Sequence, residues 1–204
     1  MEKSDKSNLA SVNRRTVLKT GVSGLAATMA IPSMSWAQTP KRGGTLRVSN
    51  GGDPPTLDMH QSATYLTEFI GSPCHATLLR IDPTDVNNVI PDLAQKYEIS
   101  SDGKSVTFHL HPGALFHNDM PVTADDVVFS LDRIRKPPAG NVSPRKGLFG
   151  NIKDVVAKDA MTVVVNLNQP QADFPFLVAN PYNVIMPRKV VEPLDAAGKP
   201  MKRE

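Results

Sequence analysis

The chain has 204 residues, of which 40% are hydrophobic, 21% charged and 5% aromatic. This length suits one domain or two small ones, and this apolar content is enough for a buried core, which excludes a chain that is disordered throughout. The net charge of +3 comes from the segment before Gln38, which carries five Lys and Arg against two acidic residues, and the charges of the remaining residues balance. Because residues from Gln38 onward have no net charge, the sequence gives no reason to expect nucleic-acid binding.

The first 37 residues predict an export signal. Arg14 and Arg15 are followed by a spacer residue, two apolar residues and a lysine, which is typical of a twin-arginine signal. The mild apolar run over residues 21–31 is too short and too rich in small residues to span a bilayer. Small residues before the junction predict cleavage between Ala37 and Gln38. We therefore expect export by the Tat machinery and a periplasmic mature chain, with the general secretory route as the alternative.

The chain contains a single cysteine, Cys74. It excludes an internal disulfide, so the core alone has to stabilise an exported chain. We expect Cys74 to be a small buried apolar residue, and the alternative is a reactive thiol.

The first predicted elements after the leader are a strand and a helix. Residues 45–49 alternate in polarity and predict a strand, which ends in a loop rich in Gly and Pro at 51–55. Apolar spacing over residues 64–79 predicts a helix that is interrupted near Pro73. Residues 91–94 predict a short helical turn.

A hairpin and a helix follow. A turn at 100–103 precedes a strand with Val106, Phe108 and Leu110 on one side. Thr123 predicts a helix N-cap, with Asp126 placed as in a capping box. The buried stripe of this helix is expected to comprise Val127, Val128, Leu131 and Ile134, before Pro137 ends it.

The last elements are two strands and a short helix. Residues 152–158 and 161–167 predict strands joined by a turn at 158–159, and a short apolar helix begins at Phe174 and is broken by Pro181. This mixture of short strands and helices predicts an α/β or α+β fold.

Several motifs occur together in the order found in one family. They are Gly44–Val48 followed by Gly52–Asp58, Leu78–Asp82, Pro91–Ala94 with Tyr97–Ile99, Thr107–Leu110, and Pro121–Ser130. As a set they closely resemble solute-binding family 5, the peptide/nickel-type extracellular solute-binding proteins of ABC importers. Tyr97 departs from the family pattern, which usually has Trp at this place.

The resemblance implies a periplasmic-binding-protein-like fold of mixed α/β type, with two lobes that close around a ligand. Residues 38–77 are expected to form the first part of lobe I, 78–173 its extra subdomain, and 174–204 the return into lobe I. Family chains are considerably longer, so the chain is expected to be an N-terminal fragment without the second lobe. A single wall would bury a ligand only in part.

The function implied by the resemblance is solute binding rather than catalysis, without a cofactor. The expected partners are a small solute of the peptide class and an ABC permease in the inner membrane. Thr64 and Tyr65 are the expected ligand-binding residues, because the corresponding loop borders the cleft in relatives. The alternative is that they form only a surface loop and a helix start.

Three polar clusters have other interpretations. His109, His111 and His117 resemble a metal cluster, but a solvated strand face explains them without a metal site. Asp125 and Asp126 are adjacent on a helix and suit capping better than acid–base chemistry. The basic loop at Lys136, Arg145 and Lys146 predicts a solvated surface, with docking to the permease as the alternative.

Two further hypotheses for the function of the chain stay open: a non-functional remnant, and a small exported metal-dependent hydrolase that uses the histidines.

The export signal can be tested by replacing Arg14 and Arg15 with lysine. We expect precursor to accumulate in the cytoplasm, because the twin-arginine pair is what the Tat machinery recognises. Cell fractionation followed by immunoblotting measures the precursor and the mature form. Normal export of the double variant would refute the twin-arginine assignment.

Overall fold

The structure, a computed structural model, describes residues 43–199. The predicted signal at Arg14 and Arg15 and the cleavage site at Ala37 and Gln38 therefore lie outside the described residues. The chain divides into two units, 1–46 and 47–204, and every helix and strand of the described residues belongs to the second unit. None of the helices within residues 43–199 has the length and apolar content needed to cross a bilayer.

The second unit contains six strands and four α-helices in its described part. The strands are β1 Leu79–Ile81, β2 Val89–Pro91, β3 Ala94–Ile99, β4 Ser105–Leu110, β5 Ile152–Asp159 and β6 Thr162–Leu167. The helices are α1 Tyr65–Gly71, α2 Ala124–Arg135, α3 Phe174–Val178 and α4 Arg188–Ala196. Two short 3-10 turns cover Ser72–Cys74 and Lys146–Phe149.

The main sheet is antiparallel, with strand order β3-β4-β6-β5, and β1 and β2 form a separate hairpin. Alternate residues of β4 are buried as predicted, because successive side chains of a strand point to opposite faces. The same alternation buries Val163, Val165 and Leu167 on β6, and α2 covers this core with Val127, Leu131 and Ile134. Val128 is only half-buried at the edge of the predicted stripe.

Helix α2 begins where the sequence predicts, because the cap is made within one turn. The Thr123 amide and hydroxyl both donate to the Asp126 carboxylate, at 2.9 and 2.7 Å. The second carboxylate oxygen accepts a hydrogen bond from the Arg188 amide at 2.9 Å, so Asp126 also binds the first residue of α4. This second contact joins residues 62 positions apart and has no local sequence signal.

Two predicted elements are wrong. Residues 45–49 have no partner strand within residues 43–199, and Val48 is 60% exposed. Residues 91–94 do not form a helical turn: β2 ends at Pro91, and the amides of Leu93 and Ala94 donate to the Thr77 and Leu78 carbonyls. Residues 91–94 take their conformation from distant hydrogen-bond partners, and residues 45–49 lack such a partner within the described part of the chain; the local pattern indicates neither outcome.

Two smaller predictions also need correction. The turn between β5 and β6 lies at 160–161 rather than 158–159, because β5 extends to Asp159 and its carboxylate accepts the Met161 amide. Cys74 is exposed rather than buried, since it ends a 3-10 turn at the surface.

A buried charge cluster joins three distant parts of the fold. The Arg133 guanidinium on α2 donates to both carboxylate oxygens of Asp58, at 3.0 and 2.7 Å, and to both of Asp195 on α4, at 2.7 and 2.8 Å. Asn141 donates a further hydrogen bond to Asp195. Burial alone would raise the pKa of Asp58, but the hydrogen bonds and charge of Arg133 outweigh it and hold that pKa below its ordinary value.

We expect Arg133→Met to lower the free energy of unfolding by about 3–5 kcal/mol, because it leaves two buried carboxylates without their cation. The measurement is urea unfolding followed by circular dichroism. The matched control is Arg188→Met, which removes an exposed ion pair with Glu192 and is expected to cost less than about 1 kcal/mol. Equal losses in the two variants would contradict the prediction.

Candidate functional site

The predicted ligand-binding residues lie at the start of α1. Thr64 is the extended N-cap residue of this helix, and Tyr65 is its first helical residue, 64% exposed. The Tyr65 ring packs against Phe69 one turn later, with 5.5 Å between ring centroids. The pair therefore joins an exposed ring at Tyr65 to a half-buried ring at Phe69, and the helix holds both.

A groove of about 580 Å³ runs beside this aromatic pair. Tyr65 lines it, whereas Thr64 does not. Aromatic and aliphatic side chains dominate the wall, with one amide and one carboxylate among them, which suits a small solute with both apolar and hydrogen-bonding parts. The lining residues are Val48, Asn50, Tyr65, Glu68, Phe69, Ile70, Ser72 and Pro73.

Thr64 instead belongs to a network of hydroxyl groups. The Ser62 hydroxyl accepts the Thr64 amide at 3.2 Å and donates to the Thr67 hydroxyl at 2.9 Å. The Thr67 hydroxyl in turn donates to the Thr56 carbonyl at 2.9 Å. The network ties the start of α1 to the segment before it, which gives Thr64 a positioning contact in the structure.

His60 belongs to the same segment, and its side chain is fully buried. Its Nε2–H donates to the Val184 carbonyl at 2.8 Å, while Nδ1 has no hydrogen-bond partner. Burial, together with the nearby guanidinium groups of Arg133 and Arg145, lowers the pKa of His60 to about 4 and outweighs the opposing effects of Val184 and Asp58. His60 is therefore neutral at physiological pH.

The prediction that the basic loop is a solvated surface is wrong for Arg145. It was expected on a solvated surface, but its side chain is buried and its four hydrogen bonds go to uncharged oxygen atoms. The guanidinium also lies over the Tyr182 ring, 4.6 Å from its centroid. Lys136 and Lys146 are exposed as expected. Neither Arg145 nor His60 has a local signal for burial, because the groups that satisfy them are far away in the sequence.

The three candidate metal-binding histidines do not form a site. No group of three His, Cys, Asp or Glu side chains within residues 43–199 is arranged to hold one ion. His109 lies 3.8 Å from the Glu98 carboxylate, and His117 Nε2 donates to the Cys74 carbonyl at 2.9 Å. His111 is exposed just beyond β4. This arrangement offers no support for the metal-dependent hydrolase.

Comparison with known proteins identifies the family. The family model described as bacterial extracellular solute-binding proteins, family 5 middle, matches residues 88–202. The chain belongs to this family. The resemblance inferred from the sequence motifs is therefore confirmed.

Two curated relatives illustrate the match. The dipeptide-binding protein of Escherichia coli (strain K12) is 36% identical over 129 residues, covering 56% of this chain and 24% of that protein. The glutathione-binding protein GsiB of Pectobacterium atrosepticum is 30% identical over 179 residues, covering 88% of this chain and 32% of that protein. The chain thus spans about a quarter to a third of the length of these relatives.

Solved structures confirm the expected mixed α/β fold of periplasmic binding proteins. The binding protein AgaA from A.tumefacien R10, in complex with agropinic acid, matches with a TM-score of 0.68 and 29% identity, over 75% of this chain and 30% of that one. The substrate-binding domain of an oligopeptide ABC transporter from Bacillus anthracis matches with a TM-score of 0.66 and 28% identity, over 72% and 30%. Both are binding proteins.

His60 predicts a specific pH dependence of stability. Its pKa of about 4 in the folded chain lies below the ordinary 6.5, so the unfolded chain takes up this proton first as the pH falls. The stability contributed by neutral His60 is complete above about pH 6.5 and is lost as the pH falls to about 4, a change of roughly 3 kcal/mol.

Urea unfolding between pH 7 and pH 4 measures this loss. In His60→Gln, whose amide replaces the Nε2–H donor without titrating, the loss should be smaller by about that amount. His111→Gln, at an exposed histidine, should keep the wild-type pH dependence. An unchanged slope in His60→Gln would refute the prediction.

Proposed function

We propose that the chain is part of the substrate-binding component of an ABC importer. It captures peptides or related small solutes in the periplasm and delivers them to a permease in the inner membrane, and it is not an enzyme. The observation that carries this proposal is the family match over residues 88–202, with relatives named for dipeptides and glutathione. Export by the Tat machinery, with cleavage between Ala37 and Gln38, is part of the same proposal.

The groove beside α1 supports the assignment of Tyr65 to the ligand-binding wall. The exposed ring of Tyr65, with the half-buried ring of Phe69 beside it, suits an apolar side chain of a peptide. Asn50 and Glu68 line the same groove and offer hydrogen-bonding groups to a peptide backbone or an ammonium group. Thr64 contributes through the helix start that carries Tyr65.

The proposed domain boundaries place 38–77 and 174–204 in lobe I and 78–173 in its extra subdomain. A separate buried cluster supports the link between the first and last ranges, although the last range also contributes to the larger core through Phe174, Val178, Ala179 and Ile185. Met59, from the first range, packs with Val184, Met186 and Val191 from the last. These residues form a core distinct from the larger one that contains the four-stranded sheet.

Isothermal titration of the full chain with a panel of di- and tripeptides tests the function. We expect at least one peptide to bind, and Tyr65→Ala to weaken its binding about tenfold, or about 1.4 kcal/mol, because an exposed aromatic wall is lost. The matched control is Phe176→Ala, which removes an exposed aromatic ring from α3, away from the groove. Its affinity should equal that of the wild type.

Either of two results would contradict the proposal. Absence of binding heat with every peptide would remove the peptide class as ligands of this chain. Equal weakening by Tyr65→Ala and Phe176→Ala would remove the groove beside α1 as the binding wall.

A further inference from the structure

Arg145 is a buried cation whose hydrogen bonds converge on one segment. Nη1 donates to the Ser62 carbonyl at 2.6 Å, and Nη2 donates to the carbonyls of Met59 and His60 at 2.6 and 3.1 Å. Nε donates to the Asn183 side chain at 3.1 Å. Three of the four acceptors thus belong to the backbone of residues 59–62, which lies directly before α1.

The contact continues from this backbone to the predicted ligand-binding residues. The same Ser62 whose carbonyl binds Arg145 holds the Thr64 amide and the Thr67 hydroxyl with its side-chain oxygen. The Thr64 side chain gives α1 no capping hydrogen bond to the backbone. The position of Tyr65 therefore depends on Ser62, and the backbone of Ser62 depends on Arg145.

The chemistry of the site requires a guanidinium. Its rigid planar fork directs donors from three nitrogen atoms to acceptors on two separate segments, whereas a lysine ammonium donates from a single point. Burial disfavours the charge and lowers the pKa of Arg145 from its ordinary value. An apolar side chain would fill the space without that cost, but it would leave the buried carbonyls unpaired.

We propose that Arg145 is a positioning residue that fixes the backbone of residues 59–62 and thereby holds Tyr65 in the geometry that receives the solute. Tyr182 completes the arrangement by covering the guanidinium with its ring. The link to solute binding rests on the proposed function of Tyr65. The link to the backbone of residues 59–62 stands independently of it.

Hydrogen–deuterium exchange of the full chain, read by mass spectrometry, tests the positioning role. In Arg145→Lys we expect amides of residues 59–68 to exchange about tenfold faster, since local opening becomes less costly. Amides of β4 and β6 should exchange at the wild-type rate. The matched control is Arg80→Lys, at an exposed arginine, and should change neither region.

Equal acceleration in residues 59–68 and in the sheet would overturn the proposal, because it would show only a general loss of stability. Unchanged exchange of residues 59–68 would overturn it as well. If Arg145→Lys does not fold, Ser62→Ala tests the next contact in the same path. It should accelerate exchange at 63–68 and spare β4 and β6, and unchanged exchange at 63–68 would overturn the proposal.

Binding measurements separate this inference from the proposed function. With a peptide that binds the wild type, Arg145→Lys should raise the Kd about tenfold, because a smaller fraction of molecules has the competent geometry, and Arg80→Lys should leave it unchanged. Faster exchange at 59–68 with an unchanged Kd would overturn the role of Arg145 in binding. Faster exchange in a chain whose wild type binds no peptide would support the backbone role and contradict the proposed function.

Discussion

The buried pairing of Arg133 with Asp58 and Asp195 is the contact on which the arrangement of this fold depends. Its partners lie 75 and 62 residues away along the chain, so one guanidinium joins the segment before α1 to α2 and α4. All three side chains are almost inaccessible to water. Burying such charges is costly, and only close geometry with every oxygen satisfied offsets the desolvation. The contact therefore stabilises one arrangement of these three segments and penalises any other.

Arg145 is a second buried cation, and it contacts the segment after Asp58. Its guanidinium donates hydrogen bonds to backbone carbonyl groups and a side-chain amide oxygen rather than to carboxylates. Both guanidinium groups lie near His60 and favour its neutral form. Buried hydrogen bonds from Arg145 thus hold the backbone of residues 59–62, which leads to Tyr65.

Local contacts explain which predictions succeeded. The Thr123–Asp126 cap spans three residues, and the alternation of β4 needs only its own sequence, so both were correctly predicted. The motif set identified family 5, since many short matches in order are far more specific than any one of them. The resemblance also led to Thr64 and Tyr65 as ligand-binding residues, which stays a prediction. The burial of His60 and Arg145 was missed, because Arg145 was interpreted as exposed and the partner of His60, Val184, is 124 residues away.

By itself, the sequence determined the family, the mixed α/β class, the main hairpins and the limits of α2. These follow from side-chain periodicity, turn residues and caps, which act over a few residues. Only the tertiary structure decided that residues 91–94 join two strands, that Cys74 is exposed and that Arg145 is buried. Each of these depends on which distant segment supplies the hydrogen-bond partner or the covering surface. That choice is made by the packing of the whole unit, so no short pattern in the sequence encodes it.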